Sequence, residues 1–485
     1  MAIPGVNVTV NDGGLRIDPV VSGPRVMLLG TTSSTDLAIN EPVVVVDVTR
    51  AMNALREDSG AYGDNTRHES ELSLALAETL GAGAPLVEVV KIATVTGAIH
   101  YTGYSPANRF IALSGAYDTL ANHPTDVVVP VGAYAEDFIG TGWNNASGIF
   151  TGGSYTSESF LRQLARFCYS QTVNQTTTIG VIGVKPPLLA PVVGASTNYV
   201  ATGDSGYIFG TPSLSNISAW VSYVQGGSVT KINSNWLNYL SGSTASYASQ
   251  YLQSSAFQAI DASGVGLVDE LGNKIDIGAY VNVIAAPVRC LNSVTRKLAD
   301  ELGATLTNTS LNTSGAAAYA GLVSSLDPHS GTTNKPVPGI VPSRKLSLTQ
   351  ADSINTYRLV TMLERSRGFV VVQGHTGAYK VNDYTRSDYT QLTTVRITQA
   401  AIDQIRLATE PFIGEALNGA NLNAMRQAVD TGLRNMKLAG ALNRYDFNIL
   451  STPDQQVLGQ ATVDLTIVPA FELVRVNVSV KLAKQ

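Results

Sequence analysis

Residues able to do chemistry are few in this 485-residue chain and poorly spaced for it. Its five histidines, His68, His100, His123, His329 and His375, are scattered. His68 precedes Glu69 and Glu71, but no second histidine follows at helical spacing, as a zinc site of the H-E-x-x-H kind requires. Cys168 and Cys290 stand far apart, each beside apolar residues, and read as core thiols rather than a redox or metal pair. No G-x-x-x-x-G-K-[ST] segment is present to cradle a phosphate, and the glycines near Gly140 and Gly264 do not complete G-x-G-x-x-G. A G-x-S-x-G elbow is also missing. No metal, cofactor or catalytic residue is therefore expected from local sequence. A Ser/His/Asp set assembled from distant segments leaves no local trace and stays open as an alternative. One charged pattern stands out. Arg426, Asp430, Arg434 and Lys437 fall at i, i+4, i+8 and i+11, a net-basic stripe opposite the apolar face of a predicted helix.

Composition narrows the classes further. The chain is 44% hydrophobic, 14% charged and 7% aromatic, with a net charge of −5. A duplex binder needs a basic surface to neutralise phosphates, and no such cluster of Lys and Arg occurs, so direct nucleic-acid binding is not expected. No apolar run approaches the ~18 residues of a membrane span, and membrane insertion is not expected. Met1-Ala2-Ile3-Pro4-Gly5 lacks the basic and apolar regions of a secretory signal.

The elements predicted from periodicity alternate between strand and helix. Strands are expected at Arg25–Gly30, Pro42–Val48, Leu86–Ile92, Asp126–Val131, Ile179–Val184 and Tyr280–Ala286, as near-continuous apolar runs. Helices are expected after Thr49 to Leu55, over Glu69–Leu80 with Leu72, Leu76 and Leu80 on one face, and over Ser159–Tyr169. Continuous apolar strands interleaved with helices suggest a mixed α/β fold with a parallel, helix-covered sheet. A Gly/Ser/Thr/Asn/Tyr-rich segment near 194–260 reads as a loop-rich insertion. Four prolines between Asp327 and Pro342 read as a boundary. Further on come a strand at Phe369–Gln373, a helix at Ile397–Ala408 and a helix at Leu422–Ala439 that is stopped by Gly440. An alternating strand then covers Thr462–Ile467.

Both ends of the chain are patterned as strands. Val6, Val8 and Val10 alternate with polar residues. So do Val474, Val476, Val478 and Val480, with Leu482 continuing the series. Chain termini fray unless something ties them down. The apolar half of such strands must be covered and their backbone groups paired, either in the subunit's own sheet or in that of a neighbouring copy.

An ordered set of segments resembles the tail sheath proteins of contractile phages and related injection machines. Pro4-Gly5-Val6-Asn7-Val8 is similar to the family's opening. Pro42 to Ile92, with Tyr62-Gly63 inside it, is similar to its early block. Ser314 to Leu322 followed by Thr333-Asn334-Lys335, and Arg367 to Val371, resemble later segments. The broadest likeness runs from Arg396 to Leu482 through Gly440-Ala441-Leu442 and Tyr445-Asp446-Phe447. Gln373-Gly374-His375-Thr376 departs from the aromatic-Gly-Ala-Arg segment usual there. The resemblance implies an N-terminal donor arm at 1–20 and a discontinuous inner domain from 21–95 and 345–470. It also implies an inserted outer α/β domain at 96–344 and a C-terminal donor strand at 471–485. It further implies a homopolymer of hexameric rings stacked around an inner tail tube protein, with a baseplate and a tail terminator as further partners. Such a sheath is assembled in the host cytoplasm, resides in the virion tail, and contracts to drive the tube through an envelope without nucleotide. Arg426, Arg434 and Lys437 would then face an acidic band on the tube, the plain alternative being a solvated helix face. Two other readings remain: an α/β enzyme with a non-local site, and a receptor-binding module presenting the segment near 194–260.

Overall fold

A computed structural model describes residues 24–56, 70–93, 106–121, 123–135, 160–174, 176–184, 275–286, 288–290, 313–342, 346–356, 358–378 and 388–474, with two short hairpins at 143–150 and 200–209 of which only the paired residues are described. Val6, Val8, Val10, Tyr62-Gly63, Val476, Val478 and Val480 lie outside the described residues.

The body is built on a six-stranded sheet. Its strands in chain order are β1 (Arg25–Thr31), β2 (Pro42–Val44), β3 (Leu86–Ala93), β4 (Val127–Pro130), β5 (Ile179–Gly183) and β6 (Val281–Ile284). Their spatial order is β6-β5-β4-β1-β3-β2. All neighbours run parallel except β2, which lies antiparallel to β3 at one edge. Parallel strands covered on both faces need apolar side chains on both sides, and β1, β4, β5 and β6 are buried almost throughout.

Helices cover each face. α3 (Pro106–Thr119) and α4 (Phe160–Asn174) close one face. Leu113, Tyr117, Phe160, Leu164 and Cys168 meet Met27, Leu29, Val128 and Ile182 there. On the other face, α1 (Val48–Leu55), α2 (Glu71–Gly81) and α5 (Ala316–Ser325) pack on Val26, Leu28, Val87, Val129 and Val181. Each apolar strand thus alternates between two cores. α2 carries a Ser70 capping box and is buried nearly all round, including Ser73, Glu78 and Thr79. The amphipathic helix expected from Leu72, Leu76 and Leu80 is instead a helix lying between the sheet and α5. Ser73 and Thr79 are bonded within the helix, the Thr79 hydroxyl donating to the Ala75 carbonyl at 2.8 Å, while Glu71 and Glu78 find their partners elsewhere in the fold.

The sheet crosses position 95/96, the expected border between an inner domain and an insertion: β3 and β4 both pair with β1. Two antiparallel pairs flank it, β7 (Val288–Cys290) with β8 (Ile340–Pro342) and, after α6 (Leu348–Thr356), β9 (Met362–Arg365) with β10 (Gly368–Val371).

A separate C-terminal unit comprises α7 (Leu392–Thr409), α8 (Gly419–Leu438) and a hairpin of β11 (Leu442–Leu450) with β12 (Thr462–Pro469). Gly440, at φ +81°, stops α8 where the sequence predicts it. The unit's core is small. Ile397, Ala401, Val429, Leu433, Leu442 and Ile449 are buried, while Tyr445, Phe447, Val463, Leu465 and Ile467 are only partly so.

Candidate assembly surfaces

The C-terminal hairpin is the feature that could join copies. Along β12, Thr462, Asp464 and Thr466 are exposed while Val463, Leu465 and Ile467 turn partly inward, as the alternation predicts. Among the described residues β11 and β12 pair only with each other, so each strand presents an open edge of N–H and C=O groups. Two strands alone are marginal in water, and open edges are templates for further strands. Exposed apolar residues gather around the same unit: Leu438, Leu450, Val468, Phe471 and Leu473.

A second exposed apolar stretch lies at one edge of the main sheet. Ile39, Val43, Val44, Val46 and Val48 lie on and beside β2, the short antiparallel edge strand of the main sheet. The predicted strand through Val48 ends at Val44 because α1 begins at Val48, capped by the Asp47 carboxylate, which accepts from the Thr49 and Arg50 amides.

The basic stripe on α8 is present but differs in setting from its prediction. Arg426, Arg434 and Lys437 are exposed. Arg426 donates to the Ile449 carbonyl of β11 at 2.8 Å and to the Asn423 side-chain oxygen. Arg434 donates to Asp430 at 2.7 Å, and Asp430 also accepts from the Tyr445 hydroxyl at 2.8 Å. The stripe therefore borders β11 instead of lying opposite the packed face. Long arginine side chains reach across from the helix and satisfy groups on the strand. Hydrogen bonding with Tyr445 and the charge of Asp430 hold the Arg434 guanidinium above its usual range, so it stays cationic. Of the terminal valines only Val474 is described, and it is half-exposed beyond β12.

α7 joins the unit to the body. Its first half, from Leu392 to Ala401, is largely buried. The ties along it are polar. Arg396 donates to the Leu326 carbonyl at 2.6 Å and the Asp327 carbonyl at 3.2 Å, and burial lowers its guanidinium to about 10. Gln399 donates to the Thr178 carbonyl, the Thr177 hydroxyl to Asp403, and Arg406 to the Thr172 carbonyl. None of these partners is near in sequence, and no sequence signal could have paired them.

The carboxyl ends of the parallel strands are where open α/β sheets bind ligands. Here an ion pair fills that position. The Arg109 guanidinium, on the first turn of α3, meets the Glu71 carboxylate, on the first turn of α2, through two bonds of 2.7 Å, and donates to the Val131 carbonyl at 2.8 Å. The Thr31 hydroxyl at the end of β1 donates to the same carboxylate. Gly132, at φ +71°, lies so close that a Cβ would overlap both charged groups. Beside the pair is a cavity of about 50 Å³ lined by Glu71, Glu78, Tyr134, Thr313 and Ser314, among others, large enough for a water or two. Glu78, buried there, accepts from the Thr313 hydroxyl at 2.5 Å, and burial pushes its carboxyl up to about 7. The Cys168 thiol is buried and pushed well up by burial, a core thiol as expected. No grouping of His, Cys, Asp and Glu able to hold a metal occurs among the described residues. No helix among them is long and apolar enough to cross a membrane.

No protein-family model and no curated protein matches the sequence. Solved structures do match, over nearly the whole chain. The sheath complex of an extracellular contractile injection system (PVC) in its contracted state aligns with a TM-score of 0.53 at 11% identity, covering 99% of this chain and 98% of that one. A chain of the anti-feeding prophage baseplate, 6-fold symmetrised, aligns at 0.54 and 12% over 100% of both chains. The anti-feeding prophage helical sheath in its contracted state aligns at 0.50 and 12% over 99% of both. At these identities the likeness is one of fold, and the fold of this chain is that of contractile injection-system sheath proteins.

Proposed function

We propose that this chain is the structural subunit of a contractile tail sheath. It polymerises as stacked hexameric rings around an inner tail tube, bounded by a baseplate and a tail terminator, and contracts to drive the tube through a target envelope. The observation that carries the reading is the C-terminal hairpin. Among the described residues both of its outer edges are unpaired and its core is half-covered, and residues 471–485 of the same chain continue the alternation that a further strand would need. Strands donated by residues 1–20 and 471–485 of neighbouring copies would complete that sheet, with Val6, Val8 and Val10 and Val474, Val476, Val478 and Val480 as their inward-facing residues. Backbone pairing across copies keeps a polymer connected while its folded bodies move.

In this arrangement the inner surface is the C-terminal unit. Arg426, Arg434 and Lys437 meet acidic groups on the tube, a polar attachment suited to release. The outward part of the particle in this reading is 96–344, whose strands β4, β5 and β6 extend the sheet that β1 and β3 begin. The particle assembles in the cytoplasm of its host and belongs to the virion tail or to an injection machine of that kind. Energy for contraction is stored in assembly, as a trap between two packings of the same subunits. The role is structural and asks for no catalysis or cofactor. The ion pair filling the strand ends supports that reading, since it stands where an α/β enzyme would hold its substrate.

The test is negative-stain electron microscopy of the full chain beside a version truncated after Ala470. Rods or tubes from the full chain, absent after truncation, are expected. Monodisperse monomers from both would refute the proposal.

A further inference from the structure

The segment that leaves the C-terminal hairpin is arranged the reverse of a soluble surface strand. Ala470 still belongs to the unit, its N–H donating to the Ala441 carbonyl at 2.9 Å. Beyond it, Phe471 and Leu473 are turned to solvent, 67% and 76% exposed, while the charged residue between them is turned inward. The Glu472 carboxylate accepts from the Thr333 backbone N–H at 3.2 Å through one oxygen and from the Thr393 hydroxyl at 2.9 Å through the other. Thr333 belongs to the body and Thr393 to the first turn of α7, so one side chain ties the departing chain to both.

The receiving loop is itself fixed. Thr332 shares a hydrogen bond with the buried Tyr319 hydroxyl at 3.1 Å, and Asn334 donates its N–H to the Val371 carbonyl at 2.8 Å. Gly331 supplies the room: a Cβ there would overlap the Glu472 carboxylate. Carboxylates bonded to a backbone N–H and a hydroxyl are held more firmly than neutral pairs. Leu438, 79% exposed at the end of α8, lies at the same end of the unit as the Ala441–Ala470 contact.

We propose that Glu472 is a latch fixing the C-terminal arm to its own subunit, so that Phe471 and Leu473 are held outward as a contact surface for a second copy of this chain. The contact surface rests on the sheath reading above. The latch does not. An aromatic and a leucine held exposed by an inward charge have no use within the subunit, and the sequence from Val474 onward keeps the alternation of the strand assigned to a neighbour, which on this reading starts after the latch and not at 471. The arm therefore pivots at residue 472, beyond the hairpin, and not at Pro469.

Hydrogen exchange of the unassembled full chain tests the latch, and electron microscopy of the same preparations tests the surface. Glu472→Ala and Gly331→Ala should each speed exchange at the Thr333 amide by about tenfold or more, the loss of a charge-assisted bond. Glu472→Gln keeps an acceptor and should change it only a few fold. Phe471→Ser with Leu473→Ser should leave Thr333 exchange unchanged and abolish polymers. Unchanged exchange at Thr333 in both Glu472→Ala and Gly331→Ala would overturn the latch. Normal polymers from the double serine variant would overturn the contact surface. A wild-type chain that forms no polymer would overturn the sheath reading and the surface with it, while Thr333 would still decide the latch.

Discussion

Glu78 offers a measurement whose size follows from the structure. It is 1% exposed on α2, and its carboxyl rises from 4.5 to about 7 because burial outweighs the opposing bond from Thr313. Glu71, two turns earlier on the same helix, is already matched by Arg109 from α3 and gives Glu78 no cation to pair with. In the unfolded chain the carboxyl loses its proton at its ordinary value. Between 4.5 and about 7, then, the folded chain holds a proton that the unfolded chain has released. Stability must fall as pH rises through that window. A gap of about 2.5 at about 1.4 kcal/mol per pH unit gives a fall of roughly 3 kcal/mol, complete above pH ~7 and absent below ~4.5. Glu78→Gln cannot ionise, keeps an acceptor for Thr313, and should not show that fall. The assay is urea unfolding of the full chain and the variant between about pH 4.5 and about pH 8. Asp126 and Asp403, also raised by burial, add a slope of the same sign to both proteins, which cancels in the difference. The variant should gain about 3 kcal/mol on the wild type across the range. A difference constant to within about 0.5 kcal/mol would show that Glu78 is not held protonated by burial.

Two further predictions address the ion pair and the basic stripe. Arg109→Met strands the Glu71 carboxylate beneath α3 with the Thr31 hydroxyl as its remaining bond, and should lower unfolding free energy by about 3–5 kcal/mol. Adding Glu71→Leu to it should recover most of the loss, and equal urea midpoints for all three proteins would refute the reading. Arg434→Glu with Lys437→Glu should leave the exposed face of α8 folded and cut the yield of sheath formed on isolated tubes. A normal yield, read by sedimentation and microscopy, would refute tube attachment through this stripe.

The sequence carried the strands of the body well because burial on two faces demands unbroken apolar runs. Arg25–Gly30, Leu86–Ile92 and Ile179–Val184 lie within a residue of β1, β3 and β5. On α8, Leu422, Met425, Val429 and Met436, spaced to share one helix face, likewise pack in the C-terminal core. Three things were not legible. α3 passed unnoticed because Asn, Arg, Ser and Gly interrupt its apolar residues, and tertiary packing supplies what local pattern lacks. α2 read as amphipathic because its buried Glu78 and Thr79 find partners across the fold, in the Thr313 hydroxyl and the Ala317 carbonyl, and Ser73 is used in capping its own first turn. The order of the sheet, which places β4 beside β1 and unites segments expected to be separate, depends on contacts about a hundred residues apart. Of the assembly surfaces, the alternating β12 was visible. The Glu472 latch was not, since a lone acid between Phe471 and Leu473 looks like ordinary surface punctuation. The Arg109–Glu71 pair, 38 positions apart, carried no motif at all.

α7 has a mechanical meaning as well as a structural one. It is a single uninterrupted helix of 18 residues, about 27 Å long, and along its length Ile397 and Ala401 pack in the C-terminal core while Leu392, Arg396, Gln399, Asp403 and Arg406 reach the body. A continuous helix resists bending and twisting, because either would break several backbone bonds at once. It is therefore an axle common to both parts. A helix bonded to both parts would carry a turn of the body towards the hairpin. In the proposed sheath, a rotation of the body would reach, through this helix, the hairpin assigned to hold the neighbouring copies.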